Sequence, residues 1–456
     1  GEPWTMFKAY SKSVFPAMLA FAFSGVYSIV DGLFVGNCVG DVGVSAINVA
    51  WPLVVLVQAL GTGIGMSGAV NLSIAKAAGD EESERRYLGN TLVILVVVAA
   101  VFSVVLSFTY PYLVHLFGGR DDIEVYANDY IKYLMWFAAV QMFSTCLVPI
   151  VRNYGGAMTA MGAMIAGFLT NVLLDWLMVQ VLEWEMMGAA LATVIGQFVT
   201  IIPCVIFLFY KKLLVRHAIY KPRARECLTI LKVGISPFGL TLVPTLVVVI
   251  FNIAALEYGG NAAIACYAVV NYVTCVVQYL MQGVGDGSQP LISTYYGEGD
   301  AKKLGTSVIM SYSTAFITAF ICLPAVYLLR HAIPEMFGSS PSVAEDAAHV
   351  LSLFVWSFPC IAIMRVSTAY FYATKSNIFA YILIYSEPVV LALLILCGVP
   401  KALGLEGLWM CIPISQGILA FLAIVLMITA ILRGKKGIGT PQPTYNTSEE
   451  TADKNL

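Results

Sequence analysis

The sequence predicts an all-α polytopic membrane protein with twelve transmembrane helices in two parallel six-helix repeats. Three observations predict it: a composition poor in charge, twelve apolar stretches of membrane-spanning length, and a gapless internal repeat at an offset of 220 residues. The 456-residue chain is 59% hydrophobic and 11% charged, whereas soluble domains carry about 25% charged residues. Its net charge of -2, with no basic stretch gathered on a soluble face, argues against a nucleic-acid partner.

A hydrocarbon core about 30 Å thick needs roughly 20 apolar residues per helix. Such stretches fall at 13–36, 46–76, 90–117, 130–151, 158–183, 187–210, 230–257, 262–296, 307–330, 346–372, 378–399 and 407–432. The longest must tilt or extend past the bilayer, and the segments between them are too short to form a soluble domain. The first stretch has no small-residue cleavage site and is too long for a signal h-region, so it reads as a retained helix. After Arg433 the chain turns Pro-, Gly-, Ser- and Thr-rich and reads as a disordered tail. The expected domains are an amino-terminal lobe at 1–215, a carboxy-terminal lobe at 216–432 and the tail at 433–456.

Lys and Arg are divided unequally between alternate loops. Twenty-one fall on the side of the termini, among them the cluster from Lys211 to Lys232, and only Arg120, Lys132, Arg330 and Lys401 on the other. By the positive-inside rule both termini are cytoplasmic, and the sequon at Asn446 would then be accidental. The ten cysteines lie mostly within helices without a CxxC pair and read as buried thiols rather than disulfides or metal ligands.

The repeat is explicit between Gly40–Asp80 and Gly260–Asp300. Gly40/Gly260, Gln58/Gln278, Gly63/Gly283, Gly65/Gly285, Ser73/Ser293 and Asp80/Asp300 coincide. Six is even, so both halves enter from the same side, a parallel-repeat arrangement used by transporters that place the substrate path between the halves. The GxGxxG within Gly61–Gly68 is not a dinucleotide site, because it lies inside an apolar helix rather than between a strand and a helix. Close helix approach accounts for it better.

A carboxylate in the middle of a membrane helix costs about 2.5–3.5 kcal/mol on insertion scales, so it faces a cavity, a partner or an ion. Asp175 is such a residue. Asn171 lies four positions earlier on the same face. Asp175 is eight residues before the turn between helices five and six, and Thr193 six after the next helix begins, which puts both at a depth of roughly 10 Å. Asp31, near the outer end of the first helix, shares that half of the membrane. Two carboxylates, an amide and a hydroxyl form an oxygen-rich pocket suited to H⁺ or a hard cation such as Na⁺.

The segments DGLFVG (31–36), RN (152–153) with NVLLD (171–175), GAALAT (188–193), and QPLIS (289–293) with YG (296–297) resemble the multidrug and toxic compound extrusion (MATE) family over nearly the whole chain. The resemblance implies two lobes that alternate between outward- and inward-facing states and export amphipathic, often cationic compounds against Na⁺ or H⁺. It also implies a coupling-cation site at Asp31, Asn171, Asp175 and Thr193. The chain is therefore expected to be a plasma-membrane antiporter: monomeric, surrounded by lipid, acting on small organic substrates, with no cofactor beyond the coupling ion and no enzymatic chemistry. Bending near Pro16 of the first helix would link ion to cargo.

Acids that some branches carry within the seventh and tenth helices are here displaced to the rim, at Glu257, Glu345 and Asp346. Glu387 in the eleventh helix, beside Pro388, is instead the candidate for a cationic cargo or a proton. Asp286, Gln278, Gln282 and Tyr385 are further candidates for the substrate cavity, while Arg152 and Arg365 read as anchors at the cytoplasmic ends. The alternative function is a flippase of lipid-linked oligosaccharide from the same broad superfamily. A membrane enzyme is disfavoured: GGRDDIE (118–124) has no second acidic cluster, and HExxH, GxSxG and P-loop motifs are absent.

Overall fold

The structure is a computed structural model in which residues 1–214 and 217–435 are described. The expected lobe boundary at 215/216, the tail beyond 435 and the sequon at Asn446 therefore lie outside the described residues.

The amino-terminal lobe contains α1 (Glu2–Cys38), α2 (Asp41–Ala77), α3 (Glu81–Leu116), α4 (Asp121–Trp136 and Ala138–Asn153), α5 (Ala157–Asp175, continued as the π-turn Trp176–Val181) and α6 (Glu185–Tyr210). A single hydrogen-bonded run, Ala224–Glu298, is broken at Gly260 (φ 66°, ψ -158°) into α7 (224–259) and α8 (261–298). Then follow α9 (Ala301–Leu328), α10 (Pro341–Phe354 and Phe358–Ala373), α11 (Asn377–Leu396) and α12 (Leu405–Lys435). Among the described residues ten runs are long and apolar enough to cross a membrane. One of them holds both α7 and α8, and the two-piece α4 is a further, bent span, which gives a twelve-helix layout in two six-helix halves.

The repeat recurs in the geometry of its turns. Gly40 and Gly260 both take positive φ (89° and 66°), as do Gly79 and Gly299 (82° and 72°), a region that favours glycine. After the second pair, the Asp80 carboxylate accepts from the backbone N–H of Ser83 at 3.0 Å and Asp300 from that of Lys303 at 3.1 Å. Both residues are N-caps. The expected start of the fourth span at 130 is corrected to Asp121, because the acids of GGRDDIE occupy the first turn of α4, where they oppose the helix dipole. The helix then bends by 58° between its two pieces. Along α3 the exposed side chains Val97, Val101, Val104, Val105 and Phe108 form a face that suits lipid.

The lobes meet along α1 with α8 and α2 with α7. Ser13 of α1 donates to the carbonyl of Gly287, and Ser67 of α2 to that of Ile230. At the end of the bundle where α1 begins and α12 ends, called here the basic end, a partly buried amide pair joins the lobes. Asn153 Nδ2 donates to Gln289 Oε1 at 2.8 Å and Gln289 Nε2 returns a bond to Asn153 Oδ1 at 3.1 Å. The repeat-related serines flank it: Ser73 donates to Asn153 at 2.6 Å, and Ser293 accepts from Gln289 at 2.9 Å. The expected GxGxxG contact is present too, since a Cβ on Gly65 would clash with the Cys146 carbonyl oxygen of α4. All ten cysteines are free.

Lys375, in the turn after α10, closes the same end across the lobes. Its ammonium lies 5.6 Å from the centroid of the Tyr87 ring on α3. Burial and the neighbouring Arg225 push its pKa down to about 8 from 10.5. The cost of burying the charged form is therefore complete below pH 8 and fades as pH rises from 8 to 10.5, the window in which the unfolded chain binds the extra proton. In thermal melts, Lys375→Met is expected to raise the midpoint relative to wild type at pH 7, with the gap closing over that window.

Candidate functional site

α5 and α6 cross where glycines allow their backbones to touch. A Cβ on Gly196 would lie 2.8 Å from the Gly167 carbonyl oxygen and 3.0 Å from Asn171 Cβ. About one helical turn beyond this crossing, Asn171 of α5 and Thr193 of α6 face each other, with Asn171 Nδ2 donating to Thr193 Oγ1 at 3.4 Å. Asn171 Nδ2 also donates to the Tyr27 hydroxyl of α1, and the Tyr27 ring stacks on Phe168 at 5.4 Å. Asp31 lies one turn beyond Tyr27 on the same face of α1. Its carboxyl meets that of Asp175 within hydrogen-bonding range. The structure thus brings together Asp31, Asn171, Asp175 and Thr193, and adds Tyr27 and, within electrostatic reach of both acids, Tyr130 of α4.

The chemistry of the pair follows from what it lacks. Asp175 is fully buried, and neither of its oxygens receives an N–H or O–H from an uncharged protein group; Asp31 Oδ1 and Asn171 Oδ1 are likewise unsatisfied. Among the described residues, the polar group that acts most directly on Asp175 is a second carboxyl, that of Asp31. Two ionised carboxylates offer acceptors and no donor, so the contact is stable only with a positive charge between them, either a shared proton or a bound cation. No group of three or more His, Cys, Asp or Glu forms a metal cluster among the described residues. A donor set of hard oxygens only suits H⁺ or Na⁺ better than a transition metal. Asp175 also stands where α5 turns into the π-turn, a local geometry frequent at functional sites.

The carboxy-terminal candidates separate into two clusters. Glu387 Oε1 accepts from Gln416 Nε2 at 3.0 Å, and Arg365 Nη2 donates to Gln278 Oε1 at 3.1 Å. These four residues line a cavity of about 20 Å³, room for about one water. Asp286 and Gln282 belong to a neighbouring group, in which the Tyr372 hydroxyl donates to Asp286 Oδ1 at 2.9 Å. Tyr385 joins neither cluster. Its hydroxyl donates to the Ile235 carbonyl at 2.7 Å and its ring fills the space at Gly239, so it packs α11 on α7.

Arg152 and Arg365 are not anchors at the helix ends. Arg152 is 5% exposed and turns inward against the Phe21 ring, 5.3 Å from its centroid, with Asp286 of the other lobe within electrostatic reach. The long side chain allows a residue at the end of a helix to place its charge well inside the bundle. Arg365 and Glu387 interact electrostatically without forming an ion pair.

A methyl at Gly196 would part α5 from α6 at the base of the carboxyl site. Overpacking of this kind costs about 1–3 kcal/mol, so Gly196→Ala is expected to lower the thermal midpoint. Gly162→Ala, on α5 with nothing within 4 Å of its Cβ, should not. Parallel melts of the two variants check this.

The MatE family model matches residues 16–177 and 238–404, one block in each lobe. The multidrug export protein MepA of Staphylococcus aureus (strain MRSA252) is 24% identical over 451 residues, covering 97% of each chain. Its Staphylococcus haemolyticus counterpart is 24% identical over 431 residues, covering 93% of this chain and 94% of that one. Among solved structures, a MOP-superfamily transporter from Pyrococcus furiosus, described as having a binding pocket of reversed polarity, superposes with a TM-score of 0.89 at 21% identity, covering 94% and 96% of the two chains. An outward-facing multidrug-resistance MATE transporter superposes with a TM-score of 0.88 at 20% identity, covering 93% and 95%. With a family model matched across both six-helix lobes and the same fold throughout, the chain belongs to the MATE family of membrane transporters.

Proposed function

We propose that this protein is a cation-coupled antiporter that exports amphipathic, cationic organic compounds from the cell by alternating access. The observation that carries the coupling is the contact between Asp31 and Asp175, which needs one positive charge and finds none in the protein. The naming of the staphylococcal relatives as multidrug export proteins supports the cargo class. The excess of Lys and Arg in the loops on the side of the amino terminus supports a cytoplasmic basic end; location in the plasma membrane and action as a monomer complete the proposal.

Asp31 is the mechanical link in this reading. It sits on α1, the helix that also carries Ser13 against Gly287 of the other lobe. When neutralised, Asp31 and Asp175 hold α1 against α5; when both are ionised, they repel and α1 is released. Pro16 lies within α1 and, lacking an N–H, lowers the cost of bending there. Lobe separation then becomes linked to ion occupancy, and cargo and ion favour different arrangements. Glu387 and Asp286 supply the carboxylates that a cationic cargo would meet.

One observation favours the alternative, a flippase of lipid-linked oligosaccharide: two guanidiniums, Arg152 and Arg365, lie inside the bundle. Asp286 and Glu387 oppose them within electrostatic reach, so the interior is balanced rather than cationic, and the antiporter reading is preferred.

Uptake of a fluorescent organic cation into proteoliposomes, under an imposed Na⁺ or pH gradient, tests the proposal. Gradient-driven uptake is expected in wild type and loss to the protein-free baseline in Asp175→Asn. Equal uptake by the two proteins would overturn the coupling site. No uptake of several cations, together with translocation of a lipid-linked sugar, would favour the flippase.

A further inference from the structure

A cavity of about 460 Å³ opens at the basic end of the amino-terminal lobe, away from the carboxyl pair, where α2, α4 and α6 end and α3 begins. Its volume lies within the range of ligand sites, about 300–1,000 Å³. Lys76, Arg85 and Lys211 line it, together with Tyr154, Glu81 and Glu84.

Among the described residues, none of the three cations has a carboxylate in contact. Ion pairs among the described residues are Arg86–Glu82, His115–Glu124, Lys132–Asp129 and His349–Glu406, none of them in this cavity. The ammonium of Lys76 lies 5.1 Å from the Tyr154 ring centroid, and that of Lys211 lies 5.5 Å from the Phe207 centroid. Arg85 Nε is buried and has no acceptor, an omission that is costly for a buried donor. Glu84 lies within electrostatic reach of Lys76 and Arg85, but three cations face two acids. The cavity therefore keeps an excess positive charge and a donor that needs an oxygen.

The surroundings favour a lipid. Tyr210 is 85% exposed and Phe209 57% exposed, immediately before Lys211, which is the mixture of aromatic and basic side chains found at headgroup level. At the repeat offset the carboxy-terminal lobe has Tyr296, Leu304 and Gly305 in place of Lys76, Glu84 and Arg85, so it lacks the charges of the site.

We propose that this cavity binds a phosphate group, that of an acidic phospholipid headgroup, between Arg85, Lys76 and Lys211. The phosphate oxygens meet the Arg85 guanidinium and the two ammonium groups, as in other basic pockets between transmembrane helices. A free phosphate compound presents the same oxygens, so the experiment includes both sources. The proposal involves neither the coupling ion nor the cargo and stands or falls separately from them.

Native mass spectrometry of the detergent-solubilised full chain, titrated with phosphatidylglycerol or phosphatidylcholine, tests it beside equilibrium dialysis with inorganic phosphate. Arg85→Gln/Lys211→Gln is compared with wild type and with a charge-matched control in the other lobe, Lys302→Gln/Lys303→Gln; Lys76→Gln serves if the first double variant fails to fold. Phosphatidylglycerol affinity is expected to fall about tenfold in the cavity variants and to be unchanged in the control, given the contribution of each basic residue near an anionic surface. Phosphatidylcholine should not distinguish them. Loss of inorganic phosphate binding alone would keep the phosphate site and assign it to a soluble compound. Equal binding of both probes by wild type and cavity variants would overturn the proposal.

Discussion

Two carboxyls from different helices, Asp31 on α1 and Asp175 on α5, face each other, and three of their four oxygens are buried without a donor. In water such a contact would simply separate. Inside a helix bundle, the crossing of α5 and α6 at Gly167 and Gly196 fixes Asp175, and the packing of Tyr27 on Phe168 fixes Asp31 from the other side. The backbone therefore holds two acids together without a neutralising protein group, the feature on which the proposed cation coupling rests. The amide of Asn171 and the hydroxyls of Tyr27 and Thr193 bond to one another beside the acids rather than to them.

The twofold repeat gives this local requirement a wider effect. α1 and α7 are repeat counterparts, and each packs on the second helix of the opposite lobe, so the same turns and glycines serve both halves. Symmetry stops at the charges. The amino-terminal lobe has the unsatisfied acid pair, while the carboxy-terminal acids are each matched: Glu387 by Gln416, and Asp286 by Tyr372. The proposed coupling ion would therefore serve the amino-terminal lobe, whereas the carboxy-terminal acids already have donors within the protein. The reciprocal amide bonds of Asn153 and Gln289 close the basic end through groups without charge, whose net strength is modest, about 0.5–1.5 kcal/mol each. A seal of that strength is compatible with repeated opening.

Much of this was legible in the sequence because membranes leave few options. Apolar length gave the twelve crossings, and the offset of 220 residues paired Gly40 with Gly260 and Asp80 with Asp300, pairs that share a backbone geometry in the structure. Asp175 stood out as a carboxylate in an apolar run, and Asn171 and Thr193 followed from helical spacing and depth. Tyr27 and Tyr130 were not legible, because tyrosine is frequent throughout this chain and packing alone selects these two. Nor was the start of α4, whose acidic first turn reads as loop until the dipole of the helix is considered. Arg152 was misplaced for a different reason. Sequence position gives the depth of its Cα, whereas its long side chain carries the charge inward to Phe21 and Met164.

The central claim is that the Asp31–Asp175 pair holds one positive charge, a proton or a cation, whenever its two carboxyls are in contact. Infrared difference spectroscopy of protonated carboxyl groups, on purified protein in Na⁺-free buffer at neutral pH, addresses it most directly. The account predicts a protonated-carboxyl stretch in wild type that disappears in Asp31→Asn/Asp175→Asn and is reduced when Na⁺ is added. A spectrum without that band, identical in the double variant and indifferent to Na⁺, would contradict it.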